Sequence, residues 1–225
     1  MNVSEAVATR RSVRKFADRP VARDTLEQVL ARAQRSPSGG NTQPWHGIVL
    51  TGEPMQKLFA RIAQEFPKGR AAHHPEYHIY PPELDGAYEE RRFGVGEDLY
   101  GALEIAREDK GKRLAWFAEN FRAFGAPALM LVHTPKYMGP PQWSDIGMWL
   151  QTIALLLRED GLDSCFQEAW AVYSPQIREV VDIPEDHIFF CGMAIGYRDK
   201  HAAVNSFDVK RASLDEAVRW EGWDA

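Results

Sequence analysis

Cysteine is scarce in this sequence. Cys165 and Cys191 are the only two in 225 residues, and each lies in an apolar stretch. No CxxC pair and no Cys/His ligand spacing occurs, so nothing points to zinc, and two buried, reduced thiols are expected. The adjacent His73 and His74 sit in a polar stretch and read as loop residues. Long apolar runs are missing too. The stretch from Ile153 to Leu157 falls far short of the ~20 residues that cross a bilayer. The first twelve residues lack the apolar core of a signal peptide. A soluble, cytoplasmic protein with no membrane partner is expected. Positive charge is not in excess: 27 Lys and Arg face 32 Asp and Glu, for a net charge of -5, which leaves no general basic field for nucleic acid. Gly94-Val95-Gly96 is an isolated glycine pair, not the strand–GxGxxG–helix unit that binds a dinucleotide. No internal repeat is present.

What is present suits one α/β domain over residues 1–225, with a segment at about 67–109 inserted over the main fold as a lid. Residues 3–11 can form a short helix. Asp24 can cap a second, whose apolar face carries Leu26, Val29, Leu30 and Ala33, and which stops at the turn Ser36-Pro37-Ser38-Gly39-Gly40. Strands are expected at Trp45–Thr51, Ala128–Thr134, Leu162–Glu168 and Ile188–Ile195; the second and the last are continuous apolar runs of the kind buried on both faces. Residues 52–66 read as helix, and Ser174-Pro175 opens a short one. A helix from Ser144, as cap, to Asp160, stopped by Gly161, is apolar almost all round. In a chain this short such a helix fits a subunit interface, so a homodimer is expected. The polar tail after Tyr197 has no core of its own and is expected to wrap another surface.

Two clusters carry chemistry. Arg10-Arg11-Ser12-Val13-Arg14 offers guanidinium forks and a hydroxyl, groups that hold phosphate. Pro37-Ser38-Gly39-Gly40-Asn41-Thr42-Gln43-Pro44-Trp45 is a glycine turn that can approach a planar ring. Taken singly, a basic cluster is most often a solvated face. Joined by an amphipathic helix at this spacing, the pair resembles the N-terminal signature of the nitroreductase family of flavoproteins. The likeness continues through the long apolar helix, Gly161-Leu162-Asp163, Gln167-Glu168, Gly192 to Tyr197, and Lys210-Arg211.

That resemblance implies a three-layer α+β sandwich, a mixed sheet flanked by helices, in an intertwined homodimer with FMN at the interface and NADPH or NADH as electron donor. It implies that Arg10, Ser12 and Arg14, with Arg11 beside them, grip the FMN. Pro37, Ser38, Gly39 and Asn41 would reach the flavin from the other subunit. Gln167, Glu168 and Ala169 would lie beside the reactive edge of the ring; the family usually has glycine where this chain has Ala169. Lys210 and Arg211 would bind phosphate, and Arg122 would face the ring carbonyl. Phe124, Tyr100 and Trp143 are candidates for the wall of a pocket for a small aromatic substrate. No protein nucleophile is needed, since the flavin transfers hydride. The resemblance is closest to the nitrobenzoate and nitrobenzene reductase branch and implies ping-pong, two-electron reduction of a nitroarene. Reductive dehalogenation, flavin destruction and a non-catalytic flavin holder remain as alternatives.

Overall fold

A computed structural model describes residues 1–69 and 72–223. Its centre is a four-stranded sheet in the order β1-β2-β4-β3, made of β1 (His46–Leu50), β2 (Ala128–Pro135), β3 (Asp163–Gln167) and β4 (His187–Gly196). Every strand pair is antiparallel. Among the described residues, the mixed sheet expected from the resemblance thus reduces to one parallel contact, the isolated bridge between Ser12 and Ser164, because the N-terminal segment meets the β3 edge too briefly to become a strand.

Both faces of the sheet are covered, which makes three layers. On one face Leu129, Leu131, Phe189 and Ala194 pack against Leu58 and Ile62 of α3 (Gly52–Glu65) and Ile177 of α7 (Ser174–Arg178). On the other, Met130, Val132, Cys191, Met193 and Ile195 pack against α2 (Arg23–Ala33) and α6 (Pro140–Glu159). This double burial explains why β2 and β4 read as unbroken apolar runs. Gly192 is required by close approach: a Cβ there would stand 2.6 Å from the Trp170 ring.

Two helix starts differ from expectation. Asp24 lies inside the first turn of α2, whose cap is Ala22 without a side-chain bond. Helix α6 begins a turn before Ser144, at Pro140-Pro141 after Gly139, since proline suits a first turn whose N–H groups lack partners anyway. The Ser144 hydroxyl donates back to the Pro141 carbonyl instead of capping. The end is as expected. Gly161 takes φ +71°, and the Leu162 N–H donates to the Leu157 carbonyl at 2.9 Å, closing the helix with a left-handed glycine cap.

The outer face of α6 is not wholly covered within one chain. Gly147, Met148 and Gln151 are exposed, and Leu155 and Leu156 are half-buried. Helix α1 (Val3–Thr9) packs beside it with Val3 and Val7 exposed. Residues 67–109 carry α4 (Gly86–Ala102), which has no buried residue. Beyond α5 (Lys110–Ala118), the chain reverses at Ala123 and Phe124, both left-handed at φ +49° and +54°. Residues 210–223 are exposed; Glu216 on α8 (Leu214–Ala217) pairs with Arg91 of α4. Among the described residues no helix is long and apolar enough to cross a membrane.

Candidate functional site

Helix α1 ends at Thr9, and Arg10 turns into extended backbone. The Val13 N–H donates to the Ser164 carbonyl at 3.0 Å, which lays residues 10–14 along the outer edge of β3. Val13 enters the core, while Ser12 and Arg14 stay partly exposed. Asn205 fixes this segment from the other side. Its Oδ1 accepts the Arg14 N–H at 2.8 Å, and its Nδ2 donates to the carbonyls of Lys15 (2.7 Å) and Asp199 (2.9 Å). Arg11 donates to the Asn205 and Phe207 carbonyls at 3.3 and 3.2 Å, holding the chain that leads to Arg211.

Two cavities result. The first, about 390 Å³, is lined by Arg10, Arg11, Ser12, Arg14 and Arg211, with Val7, Gln151 and Asn205 among its other walls. Burial, and next the nearby charge of Arg211, push the Arg10 guanidinium below the ordinary arginine range. Cations crowded to this degree suit an anion. The second cavity, about 370 Å³, is walled by Phe66, Ile79, Tyr80, Phe117, Phe121 and Tyr173, with Asn120, Gln167, Glu168 and Ala169 as its polar side. Arg14 borders both. Gln167 Nε2 donates to the Asn120 carbonyl at 2.8 Å, whereas its Oε1 is buried without a partner, an acceptor suited to a ligand N–H. Cys165 lines the same cavity, but burial pushes its thiol up to about 11, so it stays protonated and is no nucleophile. Both cysteines are free and buried.

The structure therefore gathers Arg10, Arg11, Ser12, Arg14 and Arg211 at one cavity and Gln167, Glu168 and Ala169 at the adjoining one. Lys210 is exposed beside them but lines neither. The turn carrying Pro37, Ser38, Gly39 and Asn41 is elsewhere in the chain, tied to the start of α6 by the Gly39 N–H to Asp145 carboxylate bond at 3.2 Å.

Besides Lys210 and the turn at Pro37–Asn41, four more expected site residues are not brought to these cavities within the chain. Arg122 lies in a separate cleft with Met55, Gln56 and Phe59. The reversal at Ala123 and Phe124 leaves Asn120 and Phe121 on the ring cavity and turns Arg122 outward. Phe124 is buried against Trp116. Tyr100 is covered by Arg113, which Glu97 holds at 2.8 Å. Trp143 donates its indole N–H to the Met138 carbonyl and packs edge-on against Tyr77 and Phe190. The residues that do build the apolar wall come from Phe66 after α3, from Ile79 and Tyr80, from α5 and from the segments after α5 and β3, and Asn205 was not among the expected site residues. A single asparagine ahead of Phe207 and Val209 was its one signal.

The Nitroreductase family model matches residues 7–197. This chain belongs to the nitroreductase family. It is 34% identical over 220 residues to a 4-nitrobenzoate reductase of Pseudomonas putida, covering 97% of this chain and 95% of that one. Among solved structures it resembles the FMN and NADPH-dependent nitroreductase NfnB from Sphigopyxis sp. strain HMH. The TM-score is 0.97 at 50% identity, over 99% of this chain and 100% of that one. The FMN-dependent nitroreductase NfnB from Mycobacterium smegmatis in complex with NADPH gives a TM-score of 0.91 at 28% identity, over 98% and 100% of the two chains. The family relation makes this nitroreductase-family chain an oxidoreductase, with the α+β fold described above.

Proposed function

We propose that this chain is an FMN-dependent, NADPH-driven reductase of nitroaromatic compounds that works by alternating binding of donor and acceptor at one site. The observation that carries the reading is the junction at Arg14 of a cation-lined cavity with an aromatic one. The first fits a terminal phosphate, through Arg10, Arg211 and the Ser12 hydroxyl. The second fits a planar ring, with Gln167 and the backbone at Glu168 and Ala169 along its polar edge. FMN bound across the two would accept a hydride from the donor and deliver one to the acceptor. The protein's part is to hold the phosphate, orient the ring and keep water from its face with Phe117, Phe121 and Tyr173. A cation at Arg14 would also stabilise negative charge developing on the ring. No side chain has to act as nucleophile. A nitro group, electron-poor and coplanar with its arene, accepts electrons in pairs, passing through nitroso to hydroxylamine.

The same reading extends to assembly. The exposed strip of Gly147, Met148 and Gln151 on α6, beside Val3 and Val7 of α1, suits a second copy of the chain. In such a dimer the turn at Pro37, Ser38, Gly39 and Asn41 would approach the partner's ring cavity. The purified protein should be yellow, release FMN on denaturation, and give parallel double-reciprocal lines when NADPH and a nitrobenzoate are varied together. A colourless protein that takes up no FMN would overturn the reading; intersecting lines would overturn the alternation.

A further inference from the structure

The pairing of β2 with β4 slips by one residue: Val132 faces Cys191, but His133 faces Phe189, so Phe190 has no partner across the ladder. The slip also shows in the packing. Phe189 and Cys191, two apart in sequence, belong to cores on opposite faces of the sheet. Such a bulge takes backbone groups out of the ladder, and buried backbone groups need partners. Both partners come from the insertion. The Glu76 carboxylate accepts the Phe189 N–H at 3.2 Å, and the Tyr77 hydroxyl donates to the Phe190 carbonyl. Glu76 also accepts from the Ser174 hydroxyl and, at 3.4 Å, from Arg178 Nη2. The Tyr77 ring stacks on Phe190 and meets Trp143 edge-on at 5.4 Å between centroids. Two and three residues further on, Ile79 and Tyr80 line the ring cavity, and Arg92 of α4 lies 4.0 Å over the Tyr80 ring.

We propose that Glu76 and Tyr77 are positioning residues: they latch the insertion onto the β4 bulge and thereby set how far Ile79 and Tyr80 stand into the ring cavity, and so how large an aromatic ligand it admits. Neither touches the ligand. This rests on the proposed function, in which the flavin ring would lie in the ring cavity and the acceptor would stack on it there. The latch is specific in kind, because a hydroxyl and a carboxylate fill one acceptor and one donor left by the same bulge. One oxygen of the Glu76 carboxylate accepts from Ser174, Phe189 and Arg178 at once, so glutamine at position 76 keeps the shape and loses the charge that strengthens all three bonds. Phenylalanine at position 77 keeps the packing and loses only the bond to Phe190.

The test uses the FMN-loaded protein. Benzoate and 2-naphthoate, equal in charge and different in size, are titrated while the flavin absorbance is followed. Hydrogen exchange is measured across 187–192. Loss of one such bond is worth roughly a five-fold change, so Tyr77→Phe and Glu76→Gln should each shift the naphthoate-over-benzoate affinity ratio upward by about that factor. Glu76→Gln should also speed exchange at Phe189. An unchanged ratio in both variants overturns the latch, even if exchange quickens or the Tm falls, since those would mark a merely structural bond. The titration needs no turnover. A shifted ratio in a protein that fails to reduce nitroarenes would therefore sink the reductase reading and leave the latch standing.

Discussion

Arg211→Ala should weaken FMN binding while leaving the unliganded protein as stable as before, or slightly more so. The two effects have opposite sign because Arg211 has two roles. In the free protein its charge opposes that of Arg10 across the 390 Å³ cavity, and its own Nη1 donates to the Val209 and Lys210 carbonyls nearby. With a phosphate in place the same guanidinium would make a charge-assisted bond, worth about 1.5–3 kcal/mol. That is about a 10- to 150-fold rise in Kd. The loss should shrink in high salt, because the site is open to solvent. Quenching of FMN fluorescence gives the Kd, and thermal denaturation of the FMN-free protein gives the other half. Arg11→Ala is the contrast. Its Nη1 already holds the Asn205 and Phe207 carbonyls, so its removal should lower the stability of the free protein before it lowers affinity. Matching profiles for the two variants, or an unchanged FMN Kd in Arg211→Ala, would refute the assignment.

Three further outcomes are expected. Asp163 is buried between Arg158 at 2.9 Å and Arg198 at 2.7 Å, so Asp163→Ala leaves two cations unpaired and should cost about 3–5 kcal/mol in urea unfolding; a loss under about 1 kcal/mol would show the pair to be solvent-screened. At one end of the sheet, burial first and then the charges of His187 and His46 hold the His133 imidazole down at about 4, against an ordinary 6.5. The unfolded chain then binds that proton more tightly, so stability is full above pH 6.5 and falls as pH drops towards 4, by at most about 3 kcal/mol. Urea midpoints at pH 7 and 4.5 for the wild type and His133→Gln check this, and equal pH dependence in both would count against it. Finally, Leu155→Asp, on the half-covered face of α6, should yield monomers that lose FMN on gel filtration; a dimeric variant retaining FMN would contradict the proposed interface.

The strands were legible because a strand buried on both faces has only one way to look: Ala128 to Val132 and Ile188 to Ile195 carry almost nothing polar. The end of α6 was legible for a similar reason, since Gly161 is where a left-handed residue is required. Its start was not. A serine invites the role of cap, but the hydroxyl of Ser144 bonds backwards to Pro141, and the two prolines before it already suit a first turn. Helix α4 was hidden because no apolar stripe marks it; none of its residues is buried in the chain that carries it. Of the site, the cationic cavity was largely readable, since Arg10 to Arg14 and Arg211 are local clusters. Of the ring cavity, the polar side at Gln167, Glu168 and Ala169 was readable and the apolar wall was not. Ile79, Phe117, Phe121 and Tyr173 come from separate segments, and the left-handed pair Ala123 and Phe124 decides which of their neighbours face inward. That reversal turned Arg122 away and left Asn120 in the wall. Such backbone choices by residues other than glycine carry no sequence signature.

The central claim is paired-electron reduction of a nitro group at the cavity joined by Arg14. Its most direct measurement is the stoichiometry of NADPH oxidised per 4-nitrobenzoate consumed, in air, with the product identified. The account predicts two NADPH for each hydroxylamine formed, over many turnovers and without excess NADPH consumption by oxygen cycling. Consumption limited to one product per site would mark a flavin holder. Halide release from a halophenol alongside negligible nitrobenzoate turnover would contradict the account outright.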